Sequence, residues 1–215
     1  PYIFQPGELP IRTRLPRPGF VPHFEFLNAD NFDQVYKELG EVTAVSYDTE
    51  TTSLYIDELV MVSFSFAYGD RNFVCIVNHA NEEACFYDRD KLVALTQRIL
   101  TRPLPYMFNS RFDIRVAAKT FQEINPYSIF PCDVQQLIFL ADTNVKLPDL
   151  KSSELQFLGI DAPSFEDTFG KGANLQTVDV NQLGQYSAYD SYGTLQLGNL
   201  FQPEISKRYP LRSEE

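Results

Sequence analysis

The stretch TAVSYDTETTSL, residues 43–54, places Asp48 and Glu50 two apart inside a run dense in Val, Tyr and Thr. That composition favours an extended strand. In a strand, residues i and i+2 project from one face, so both carboxylates can reach a single cation. Val45, Tyr47 and Leu54 make the surroundings apolar, and two carboxylates facing one way repel unless a cation joins them. Acidic residues also line solvated strand faces, so the pair by itself leaves both readings open.

Two further strand patterns follow, LVMVSFSFAYG (59–69) and RNFVCIVNH (71–79), with Gly69-Asp70 at a hairpin turn. Together they predict three antiparallel strands, with the carboxylate pair on the first. A short strand is expected earlier, at HFEFL (23–27), and a helix over 30–39 with Asp30 or Asn31 near its cap. Beyond residue 80 the period changes. Residues 88–101 place Leu92, Leu95, Ile99 and Leu100 on one helical side. LPYMF (104–108) reads as a buried strand, then a helix from about Ser110 to Phe121, a short strand around Ser128–Pro131 and a helix through Leu137 and Leu140. Residues 149–158 are helical with Gly159 as the stop, 160–178 read as an irregular loop, and 179–201 as a long helix or helix pair. Strands first and helices alternating later predict an α/β domain, a mixed sheet flanked by helices.

At 215 residues the chain is long enough for one such domain with a sizeable core. Residues 1–22 carry six prolines with Arg12, Arg14 and Arg17, which predicts an extended arm or linker ahead of the domain. The chain opens on Pro1 rather than Met, as a processed or excised piece would. No apolar run approaches the ~20 residues of a membrane span, so no membrane partner is expected. Cys75, Cys85 and Cys132 lack C-x-x-C spacing, which argues for reduced thiols and a cytoplasmic setting. With only His23 and His79, a His-rich zinc site and a Ser-His-Asp triad are both disfavoured. The net charge of −11 argues against wrapping duplex nucleic acid, which wants a basic face. Either the domain holds only a few nucleotides of single strand, or another domain supplies the basic track.

Two more segments carry chemistry. NSRFD (109–113) ends in Asp113 where a strand gives way to a helix, and YSAYD (186–190) puts Tyr186 and Asp190 four apart on one helical face. Each has a plainer reading. Asn109 or Ser110 can simply cap a helix, Asp113 can favour its positive end, and a Tyr/Asp pair can be a surface hydrogen bond. As an ordered set, D-x-E, then N-x-x-x-D, then Y-x-x-x-D supplies the oxygen donors that Mg²⁺ prefers. Two such ions can clamp both oxygens of an in-line phosphodiester displacement.

The three segments resemble the Exo I, Exo II and Exo III motifs of the DEDD 3′–5′ exonucleases, which have a ribonuclease H-like (DnaQ-like exonuclease) fold. Tyr186, with Gln185 where the other subgroup has histidine, resembles the tyrosine subgroup. DTETTSL, NSRFD, FEDTFGKG (165–172) and YSAYDSYGTLQL (186–197) resemble the proofreading domain of family A DNA polymerases, over about residues 40–202. The chain departs from that pattern in a tighter stretch from Lys171 to Tyr186 and in residues 1–22.

The resemblance implies an exonuclease domain at 23–202. Residues 203–215 would begin a helix leading toward a covalently linked polymerase domain, in a bacterial or phage-infected cell. It implies two divalent cations, Mg²⁺ or Mn²⁺: Asp48 bridging both, Glu50 and Asp190 completing the ligands of the first metal, and Asp113 holding the second metal largely through water. Tyr186, with Glu50, would orient the attacking water. The partner would be a single-stranded DNA 3′ end, with Leu54 wedged between the last two bases, Phe165 packed on the terminal nucleotides and Asn109 bonded to the strand. Phe169 and Lys171 read as loop structure, and GKG lacks P-loop spacing. The alternatives are a free-standing ribonuclease D-like RNA exonuclease and a non-catalytic domain that binds single strands or braces a polymerase.

Overall fold

A computed structural model describes residues 14–141 and 148–209. Arg12 and the rest of residues 1–13, and residues 210–215, lie outside the described part.

The chain runs β1 (Glu25–Phe26), α1 (Phe32–Leu39), β2 (Ala44–Thr51), β3 (Met61–Tyr68), β4 (Arg71–Ile76), α2 (Arg89–Leu100), β5 (Leu104–Met107) and α3 (Ser110–Thr120). It continues through β6 (Cys132–Asp133), α4 (Val134–Ala141), α5 (Leu150–Ser153), a π-helical turn (Glu154–Leu158), α6 (Phe165–Phe169) and α7 (Val180–Arg208). The six strands lie in the order β1-β4-β3-β2-β5-β6. The strands β2, β3 and β4 pair antiparallel, while β1 adds parallel to β4, and β5 and β6 add parallel beyond β2. This is the mixed α/β sheet with three antiparallel strands that the strand patterns predict.

Three readings shift in detail. The strand expected near 128–131 forms at Cys132–Asp133, because Pro126–Ser128 closes a 3₁₀ turn capped by the Asn125 side chain. The loop over 160–178 contains α6, started by a reciprocal capping box between Ser164 and Asp167. The C-terminal element is one helix of 29 residues, α7, which continues through Pro203 to Arg208.

The sheet is covered on both faces. On one face Tyr47, Phe64, Phe66 and Phe73 pack with Val35 and Leu39 of α1, Leu95 and Ile99 of α2, and Val116 of α3. On the other face α7 and α4 cover the strands through Tyr106, Leu197, Phe201 and Ile138. The surface beneath α7 is polar and small. Ser46 Oγ donates to the Ser191 carbonyl (2.7 Å), Ser65 Oγ to the Ser187 carbonyl (2.9 Å) and Asn72 Nδ2 to the Ala188 carbonyl (2.8 Å). These bonds fix how α7 sits on the sheet, and with it Tyr186 and Asp190.

The segment from residue 14 docks onto the domain. Backbone N–H groups of Arg14 and Arg17 donate to the carbonyls of Gln156 and Gly159, and the Tyr189 hydroxyl donates to the Phe20 carbonyl. Gly159 is required where this happens: its φ is +71°, and a Cβ there would meet the Leu15 carbonyl oxygen. The Cys75, Cys85 and Cys132 thiols are free, and no described helix is long and apolar enough to cross a membrane.

Candidate active site

The strand β2 carries Asp48 and Glu50 on the face that looks at α7, paired across the ladder with Ser65 and Ser63. The ladder slips between Glu50 and Thr51 because β3 holds one extra residue, Val62. Such a bulge bends the strand and re-aims the adjacent side chain. Carboxylate oxygens of Asp48, Glu50 and Asp190 all lie within 4.8 Å of one another. Glu50 Oε1 is buried with no hydrogen-bond partner among the described residues. Three hard oxygen donors converging on one point, one of them unsatisfied, fit a divalent cation.

Asp113 is not one of the three clustered carboxylates but stands close enough to Asp48 to act on its charge. The pairing of β5 with β2 stops at Ser46, so residues 48–50 project beyond it and α3 lies alongside. Asp113 is buried and accepts a 2.6 Å hydrogen bond from Thr49 Oγ1. The turn into α3 is made by Asn109 in the left-handed conformation (φ +61°), which Asn tolerates better than most residues. Neither Asn109 nor Ser110 caps α3 by its side chain. Asp133 of β6 accepts from the Asn109 and Ser110 backbone N–H groups (3.3 and 2.8 Å) and from the Ser110 hydroxyl (2.8 Å).

Tyr186 is half-buried beside the carboxylates. Phe165 and Phe169 of α6 pack edge-on against its ring, at 6.3 and 5.3 Å between centroids. Phe169, which reads as loop structure in the sequence, is therefore part of the wall that sets the phenol's position. Leu54 is 83% exposed and Asn109 is also exposed. Burial, with Asp190, Glu50 and Asp48 nearby, pushes the Tyr186 phenol further up, so it donates a hydrogen bond rather than accepting a proton.

Sequence reasoning missed Lys151 and Glu154. The Lys151 ammonium bonds Asp190, lies 3.6 Å from Glu154 and stands 5.0 Å over the Tyr186 ring. Glu154 shares a helical face with Phe157 and Leu158, and all three are buried. A charged residue on the core side of an apolar stripe was the legible signal.

Burial pushes all four carboxyls toward their protonated forms. Asp48 is driven well above the usual range by burial, then by Asp113, Asp190 and Glu50. Burial, then Asp190, raises Glu50 to about 8, and burial raises Asp113 to about 7 against the Thr49 hydroxyl. Asp190 is raised by burial while Lys151 opposes. Between the unfolded and folded values the native state binds the extra protons, so these groups cost stability as pH rises. The window runs from 4.5 to about 8 for Glu50 and from 3.8 to about 7 for Asp113. Thermal melts in EDTA are expected to drop in Tm from about pH 5 to about pH 8, and the Tm gain on adding Mg²⁺ to grow over that range. A gain that shrinks with rising pH would contradict this protonation pattern.

A family model described as 3′–5′ exonuclease matches residues 25–206. DNA polymerase I of Pseudomonas aeruginosa is 30% identical over 198 residues, covering 89% of this chain and 21% of the relative. The chain thus spans about a fifth of that relative's length. Among solved structures, the Nibbler EXO domain of Aedes aegypti superposes with a TM-score of 0.64 at 14% identity, covering 92% of this chain and 94% of that one. Escherichia coli RNase D superposes with a TM-score of 0.64 at 16% identity, covering 87% and 47%. Both share the ribonuclease H-like fold.

Proposed function

This chain belongs to the 3′–5′ exonuclease domain family of the family A DNA polymerases, and on that premise we propose that it removes 5′-mononucleotides from the 3′ end of single-stranded or frayed DNA. The observation that carries the reading is the convergence of Asp48, Glu50 and Asp190 within 4.8 Å, with Tyr186 beside them. Asp48, Glu50 and Asp190 would hold one divalent cation, with Asp48 shared and Asp113 serving a second. When bound, such ions activate the attacking water and stabilise the leaving 3′ oxygen.

The chain's own residues supply placement. Tyr186, clamped by Phe165, Phe169 and Lys151, would donate to the attacking water and orient it. The exposed Leu54 would wedge between the last bases, Phe165 would face the terminal nucleotide and Asn109 would bond the strand. Unpaired bases gain roughly 1–3 kcal/mol each by stacking, so a frayed mismatch reaches the site more readily than a paired end. Such selectivity would serve proofreading in the cytoplasm beside a linked polymerase domain. With a net charge of −11, binding of the domain alone to plain single strands is expected to be weak.

The test is a time course on 5′-labelled single-stranded DNA and RNA of one sequence, in Mg²⁺, Mn²⁺ or EDTA. A metal-dependent ladder shortening from the DNA 3′ end is expected. Faster loss of RNA than of DNA would move the assignment to a ribonuclease D-like activity. Binding without cleavage would make the domain non-catalytic.

A further inference from the structure

Glu154 is fully buried, and neither of its oxygens has a hydrogen-bond partner among the described residues. A buried carboxylate left in that state is costly. Its place is nevertheless built: Glu154 begins the π-helical turn, an arrangement common at functional sites. The side chain fills the groove left by Gly193 of α7, where a Cβ would fall on Glu154 Oε1. The backbone of residues 14–17 braces the far end of the same turn. Among the described residues the cation paired with Glu154 is Lys151, 3.6 Å away, and the same ammonium bonds Asp190.

We propose that Lys151 is a built-in countercharge with two stations, Asp190 in the metal-free site and Glu154 once a divalent cation takes Asp190. The inference rests on the metal-site reading above. In the first station the ammonium balances carboxylates that otherwise repel. In the second, the lysine moves a short way along its own helical face and satisfies a carboxylate that has no other hydrogen-bond donor among the described residues. Glu154 then tunes cation affinity without touching the cation, as a positioning residue acting through Lys151.

Signs of opposite direction test this. Mn²⁺ binding is measured by electron paramagnetic resonance, with a thermal melt on each protein, for wild type, Glu154→Gln, Lys151→Met and the double variant. Glu154→Gln is expected to weaken Mn²⁺ binding about tenfold, the scale of one charge-assisted hydrogen bond, because Lys151 loses its second station and stays on Asp190. The double variant, with no buried charge left unpaired, is expected to bind Mn²⁺ more tightly than Glu154→Gln and at least as tightly as wild type. Lys151→Met alone should also bind more tightly than wild type. Weak binding in both Glu154→Gln and the double variant would make Glu154 a ligand or a purely structural residue and overturn the proposal. Equal affinity in all four proteins would overturn it too, while leaving the metal site standing. A folded wild type that binds no Mn²⁺ would overturn both readings.

Discussion

Replacing Asp190 with alanine is expected to lower 3′-terminal hydrolysis by at least about a thousandfold, since a metal site supplies several kcal/mol of transition-state stabilisation. The loss should come in turnover rather than in folding. Asp190 is held by Lys151 and clusters with Asp48 and Glu50, while α7 is fixed on the sheet by bonds from Ser46, Ser65 and Asn72 that do not involve its side chain. Without Asp190, Lys151 still has Glu154 beside it. Single-strand binding is therefore expected to survive, and the melt to stay close to wild type. Single-turnover rates on a 5′-labelled oligomer check the first point, and fluorescence anisotropy checks the second. Near-normal turnover in Asp190→Ala would mean that the metal assignment is wrong, whatever else the site does.

Gly198→Val is expected to cost about 3 kcal/mol, at the upper end of overpacking in a close-packed core, or roughly 10 °C in Tm for a chain of this size. Gly198 lies where α7 crosses Tyr106, and a Cβ there would stand 2.5 Å from Cγ of that buried ring. Tyr106 is on β5, flanked by β2 and β6, and cannot move without disturbing the strand that leads to Asn109 and Asp113. Gly198→Ala should cost less, because alanine recovers about 1 kcal/mol of helix propensity. Differential scanning calorimetry of both variants measures this. A Gly198→Val protein melting within about 2 °C of wild type would show that α7 can shift on the sheet at little cost.

Much of this architecture was readable in order along the chain. The strands over 43–76 were legible because Val, Phe and Tyr are concentrated there, with Gly69-Asp70 marking the turn. The helix over 89–100 was legible because its leucines and isoleucines repeat at 3.6 residues. Details set by one or two hydrogen bonds were not. The strand at Cys132–Asp133 is two residues long, too short to leave a period. The capping box that starts α6 was present as Ser164 and Asp167, but it lay in a segment whose glycines read as loop.

The sequence by itself determined which candidate side chains share a face. Asp48 and Glu50 share a strand face, and Tyr186 and Asp190 share a helix face, as local geometry requires whatever the rest of the chain does. Local geometry says nothing about how a helix lands on a sheet. The convergence of Asp190 on Asp48 and Glu50 depends on serines beneath α7 and on glycines that let its backbone come close. Tertiary structure alone also put Lys151 on Asp190 and buried Glu154 against Gly193. Those contacts join segments some forty residues apart, and they are fixed by packing and charge rather than by any repeating pattern.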